Sequence, residues 1–172
     1  MYRFFTYFLL FLFTVLFQVF LFDNLSVSVY LNPLVYVAFI VLLPLETSPV
    51  VLLGAGLAMG AAMDFTMGAA GINTIATLLI AFARPAILTV LYRREDLREG
   101  GVPSPERLGH RVFLDYVIVL VVLHHAVFFS LEALSWSHML RTVVRIVASS
   151  AMSVAGVWLA ARIFTAKVIV RL

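Results

Sequence analysis

Residues 4–22 read FFTYFLLFLFTVLFQVFLF, nineteen positions without a single charged side chain. The hydrocarbon core of a bilayer is ~30 Å thick, and a helix of roughly 20 mostly apolar residues spans it. In lipid every backbone N–H and C=O must be paired internally, which leaves helices or closed barrels. Barrel strands alternate apolar and polar side chains, and this run does not alternate. It predicts a transmembrane helix.

Five further apolar stretches follow, at about 33–45, 50–64, 71–92, 112–131 and 142–164. The 172 residues are 63% hydrophobic and 12% charged, with no cysteine. That composition belongs to integral membrane proteins. The expected architecture is an all-α integral membrane protein, six transmembrane helices in one bundle, forming a single domain over 1–172. Without cysteine the chain has no thiol catalysis, thiolate metal site or internal disulfide. The run at 4–22 exceeds the ~7–15 residues of a secretory signal's apolar region. A retained signal anchor is therefore expected, with cleavage near Ser26-Val27-Ser28 as the alternative.

The net charge of +3 sits mainly at the ends of apolar runs, which suits a membrane surface rather than nucleic acid. Arg3, Arg93, Arg94, Arg98, Arg107, Arg111, Lys167 and Arg171 would share one side if six spans alternate. Asp23, Asp64, Glu132 and His138 would occupy the other, with Arg141 its basic exception. The excess of arginine marks the cytoplasmic side. Both termini and the 93–111 loop are expected there.

Short signals set the span boundaries. Asn32-Pro33 opens the second stretch as cap and first-turn proline, and Pro44-Leu45-Glu46-Thr47-Ser48-Pro49 closes it. The third is rich in small residues. Gly56 and Gly60 form a GxxxG pair, repeated by Ala58 and Ala62, so one face admits another backbone closely. Asp64 is read as its polar terminus, or as a carboxylate fixing the turn that follows. At a helix C-terminus a carboxylate needs compensation from somewhere. In the sixth stretch Ser149, Ser153, Gly156 and Ala160 share a second small-residue face.

Arg84 is the most demanding residue. It lies nine positions before Arg93, about 13 Å deeper at 1.5 Å per residue. A cation at such depth must face the bundle, snorkel or find a partner. Asp115 is the first candidate partner and Glu46 the second; a functional anion site is the sharper reading. Pro85 is expected to kink the helix. Arg141 and Arg145, one turn apart, are read as lipid-phosphate contacts, with a partner's acidic group as the alternative. His124 and His125 project about 100° apart on a helix, a poor pair for one metal. They are read as hydrogen-bonded bundle histidines, with a proton relay as the alternative. No nucleotide loop, zinc-protease or hydrolase motif occurs. No enzyme activity, metal or cofactor is expected.

The order of features in the first half is specific as a set. An aromatic-rich helix precedes Asn32-Pro33 and Pro44-Leu45-Glu46; then come Gly60-Ala61-Ala62-Met63-Asp64, a Gly68…Gly71 turn and Ala83-Arg84-Pro85. This resembles the rod shape-determining membrane protein family MreD, mainly over 32–85. The resemblance implies a fold like the substrate-binding subunits of energy-coupling-factor transporters. It implies a place in the bacterial inner membrane, within the cell-elongation complex. The implied partner is an MreC-type single-span coiled-coil protein, which connects to an MreB-type filament and to wall-synthesis glycosyltransferase and transpeptidase enzymes. Asp64, Arg84 and Pro85 match recurrent polar positions of that family, with structural or partner-contacting roles. The expected function is a non-enzymatic scaffold; the competing one is a transport or small-ligand or lipid-binding subunit.

Overall fold

The computed structural model describes residues 2–23, 31–92, 97, 99–133 and 139–169. Ser26-Val27-Ser28, Arg93, Arg94, Arg98, His138 and Arg171 lie outside the described residues. All regular elements among those described are helical. Helix α1 (Tyr2–Phe17) continues into a π-helical turn, Gln18–Asp23. A 3-10 turn, Val35–Val37, leads into the four-residue helix α2 (Ala38–Val41). Then come α3 (Pro49–Met67), α4 (Ile72–Leu91), the short α5 (Pro105–Leu108), α6 (His110–Ala133) and α7 (Met139–Ile169).

Four of these helices are long and apolar enough to cross a membrane: α3, α4, α6 and Met139–Thr165 of α7. Phe4–Phe20 is a shorter apolar helix. The distribution of side chains agrees with lipid as the solvent. Phe65 is 91% exposed, Val90 82% and Phe4 80%, whereas Gln18, Asn73, Arg84, His124, His125 and Ser153 are buried. In water such a surface would be a large aggregating patch. In a bilayer it faces hydrocarbon, and the polar groups collect where helices meet.

The expected second span differs most from its sequence reading. In place of one helix over 33–45, only the 3-10 turn and α2 are helical, and Leu34 to Leu43 are all buried. Its early stop has a physical reason: Pro44 cannot donate, and the residue before a proline is pushed out of the helical region. Non-helical backbone at membrane depth survives only where protein covers it. Here α1, α3, α4, α6 and α7 all pack against it, and Leu34 to Leu43 are buried.

Helices α3, α4, α6 and α7 alternate in direction. Asp64 near the end of α3 meets Asn73 at the start of α4. The Tyr92 hydroxyl, just past α4, reaches the Val112 carbonyl near the start of α6 at 3.5 Å. Glu132 at the end of α6 meets Arg145 of α7. Helix α3 starts from a Ser48 cap with Pro49 in its first turn and ends at Gly68 (φ 65°), a left-handed stop that glycine adopts freely. The described part of the 93–111 loop is also docked. Leu45 N–H donates to the Gly101 carbonyl at 2.8 Å, and Gly101 N–H donates to Glu46 Oε2 at 2.7 Å.

Both small-residue faces are consumed inside the chain. A Cβ on Gly60 would press on Thr74 Cα and stand 2.9 Å from Thr74 N; one on Gly56 would meet Ala81 Cβ at 2.9 Å. The GxxxG face therefore seats α3 on α4. On α7, a Cβ at Gly156 would lie 2.8 Å from Val35, so that face seats the central segment. Ala160 is partly buried against the same core.

Candidate functional site

A short helix leaves its first N–H and last C=O groups without intrahelical partners, and at membrane depth no water replaces them. Side chains from the turn that continues α1 and from α4, α6 and α7 supply what α2 and its flanks lack. On the N-terminal side, Gln18 Oε1 accepts from Val35 N–H at 2.8 Å and Tyr36 N–H at 3.3 Å, while its amide donates to the Pro33 carbonyl at 3.0 Å. Ser149 Oγ accepts from Asn32 N–H at 3.0 Å and Ser153 Oγ from Leu34 N–H at 2.9 Å. The small-residue face of α7 is thus also a hydrogen-bonding face.

Arg84 closes the other end. It is 1% exposed. Its guanidinium donates to the Leu43 and Pro44 carbonyls, and Nε donates to the Tyr116 hydroxyl at 2.8 Å. Tyr116 in turn donates to the Val41 carbonyl at 3.2 Å. A cation at the C-terminal end of a helix is favoured by its dipole, and the planar fork serves several acceptors together.

This corrects the expected ion pair. Asp115 is exposed on α6, because the residue that turns inward at that level is its neighbour Tyr116. Glu46 instead receives the Gly101 backbone. Pro85 lies on the exposed face of α4, which continues as helix to Leu91.

Asp64 is not the end of α3, which runs three residues further to Met67. Its carboxylate crosses to the next helix. Oδ1 accepts from Asn73 N–H at 3.0 Å and Asn73 Nδ2 at 3.1 Å, and Oδ2 from Thr74 N–H at 2.9 Å and the Thr74 hydroxyl. The residue preceding α4 is Gly71, which has no side chain to cap it. Asp64 performs that task from one helix back, at a terminus whose dipole attracts an anion.

From Asp64 a chain of contacts enters the bundle. Because Asn73 Nδ2 faces a carboxylate, its Oδ1 faces the Tyr36 hydroxyl, which donates at 2.9 Å. His124 Nε2 lies 2.9 Å from that same hydroxyl. His125 Nδ1 stands 2.9 Å from the Val121 carbonyl and so carries its proton there, leaving Nε2 to accept from Ser153 Oγ at 3.0 Å. Ser153 is consequently donor to one group and acceptor from another. His124 Nδ1 is buried without a hydrogen-bond partner among the described residues. No third metal-capable side chain joins these histidines there.

Replacing Ser153 by alanine should strand the Leu34 N–H and the His125 acceptor together. Each buried polar group left unsatisfied costs ~1–3 kcal/mol, so Ser153→Ala, which strands two, should lower stability by about 2 kcal/mol or more. Ser150→Ala should have little effect, since Ser150 Oγ has no hydrogen-bond partner among the described residues. Denaturant titration of both variants in mixed micelles checks this; equal losses would contradict the assignment.

Arg145 departs from its lipid-phosphate reading. Its Nη1 lies 2.7 Å from Glu132 Oε2, and its guanidinium sits 4.6 Å from the centre of the Phe129 ring. The carboxylate comes from the adjacent helix, and the aromatic face suits the planar cation. Arg141, one turn earlier, is exposed. Sequence reasoning passed over Gln18, Tyr36, Asn73 and Tyr116, and gave Glu132 no partner. For Gln18 a signal existed: an amide inside an uncharged span needs internal partners.

Comparison of the chain with protein-family models, curated proteins and solved structures finds no match. Fold and site define a class: an all-helical membrane protein with four helices of spanning length around a short, side-chain-capped central helix.

Proposed function

We propose that this chain is a non-enzymatic scaffold of the bacterial inner membrane. It would act in the cell-elongation complex, as the resemblance to the MreD family implies. The observation that carries the reading is the closure of the interior around Arg84. A transport or ligand-binding subunit would need a polar cavity with a free cation on its wall. Arg84 is instead packed, with its donors spent on Leu43, Pro44 and Tyr116. The polar groups of the core hold backbone rather than await a substrate, which suits a rigid binding platform.

In this reading the chain crosses six times, with 31–47 as a broken second crossing. Its far end meets Gly101, in the loop between α4 and α6, and its near end is tied to Gln18 and Ser149. Both termini are then cytoplasmic, and the bundle has the form of an energy-coupling-factor substrate-binding subunit. The partner is an MreC-type single-span coiled-coil protein. Through it the scaffold would reach the filament and the wall-synthesis enzymes.

The test is twofold. Depletion should round the cells, and affinity purification from native membranes should bring down a one-span coiled-coil protein in stoichiometric amount. Unchanged rods together with purification of the chain alone would refute the proposal.

A further inference from the structure

Helices α4 and α6 meet along an outward-facing groove of about 240 Å³, lined by Ala86, Ile87, Val90, Leu91 and Val119. Its walls are hydrocarbon, and in a bilayer such a groove holds an acyl chain. At one end stands a group that hydrocarbon alone does not satisfy. Asp115 precedes Val119 by four residues, one helical turn, and so shares its face. Tyr92, the residue after Leu91 of the groove, stands within electrostatic range of that carboxylate. Asp115 is exposed and has no ion pair among the described residues. Arg111, one turn nearer the helix start, is exposed too, and forms no ion pair with it. An arginine placed N-terminal to its acid is the weaker order for such a pair.

Asp115 lies five residues into α6, about 7.5 Å along the axis at 1.5 Å per residue. Side chains lean toward the N-terminus of their helix, here the membrane surface. The carboxylate is therefore raised toward the layer where lipid headgroups meet their chains. A bare anion is poorly placed there, and a cationic donor on the same molecule as the acyl chain answers both features.

We infer that the α4–α6 groove and Asp115 together form a lipid site selective for a primary-ammonium headgroup, as in phosphatidylethanolamine. The acyl chain lies against Ile87, Val90 and Val119, and the ammonium N–H donates to Asp115. Phosphatidylcholine carries a similar charge without an N–H, and phosphatidylglycerol offers no cation. The site thus discriminates by hydrogen bonding as well as by charge.

The experiment uses the purified full-length protein in detergent, titrated with dioleoyl phosphatidylethanolamine, phosphatidylcholine or phosphatidylglycerol, with bound lipid read by native mass spectrometry. Wild type should retain phosphatidylethanolamine over phosphatidylcholine about fivefold, equivalent to about 1 kcal/mol at 1.4 kcal/mol per decade. Asp115→Asn should abolish the preference and Asp115→Glu should keep it, with elution profiles unchanged. Equal retention of the two lipids by wild type, a preference for phosphatidylglycerol, or an undiminished preference in Asp115→Asn would overturn the assignment. A photoreactive phenylalanine derivative at Val119 in native membranes gives a second readout. Lipid adducts support the site, whereas one discrete protein adduct overturns it by placing a partner helix in the groove.

Discussion

Replacing Arg84 by methionine is expected to destabilise the bundle by about 3–5 kcal/mol. The side chain donates to the Leu43 and Pro44 carbonyls and to Tyr116, and methionine donates to none of them. Each abandoned acceptor in a dry interior costs ~1–3 kcal/mol. Removing the buried cation also removes its own desolvation penalty, so the sum stays below the full total. Lysine keeps the charge but loses the fork, and Arg84→Lys should fall between wild type and Arg84→Met. Reversible unfolding by sodium dodecyl sulfate in mixed micelles, followed by helical circular dichroism, orders the three proteins. If the methionine variant were as stable as wild type, the capping role of Arg84 would be lost. An anion-binding role predicts something different: a ligand-dependent stabilisation that Arg84→Met would remove while leaving the apo protein unharmed.

Gly60→Ala should cost about 3 kcal/mol, the upper part of the usual range for overpacking. The added carbon meets backbone at Thr74 and the Asn73 carbonyl, where the Asp64 carboxylate already pins the start of α4. Backbone so held cannot retreat. Gly56→Ala should cost less, since its nearest obstacle is the Ala81 side chain. Gly54→Ala should be neutral or stabilising by up to about 1 kcal/mol, because nothing lies within 4 Å and alanine is the better helix former. Leucine at Gly60 should prevent folding altogether. The ranking Gly60, Gly56, Gly54 can be read from midpoints in the same unfolding assay. A reversed order would mean that α3 and α4 do not pack through this face.

Some of the architecture was legible before any coordinates. A run such as 4–22 or 112–131 announces a buried or lipid-facing helix, because hydrocarbon tolerates few other backbones. The stops were legible too: Gly68 and Gly71 around a turn, and Pro44 to Pro49 at the close of the second stretch. The weak point was 33–45, where apolar content suggested a span. Apolarity reports that a segment avoids water and says nothing about whether lipid or protein encloses it. Pro44 marked where the helix stops, but nothing in the sequence marked how late it starts.

The polar residues show the same division. That Arg84 required partners followed from its depth alone. Which partners it found depended on where the carbonyls of residues 43 and 44 ended up, forty positions away in the chain. Asp115 was the natural choice by charge, yet a one-residue step around α6 turned Tyr116 inward and Asp115 outward. Arg145 followed suit: its sequence neighbours are apolar, and Glu132 reaches it only because α6 and α7 fold back on one another. Asp64 had been placed at an unfavourable helix terminus, and the hairpin converts it into the cap of the next helix.

Composition and patterning by themselves therefore determined the solvent, the helical backbone and the residues that could not stand alone, since transfer free energies act locally along a chain. Tertiary structure decided which groups answer those needs. Hydrogen-bond partners and close-packed faces are properties of the angle at which each helix meets its neighbours, and that angle emerges only when all of them pack together.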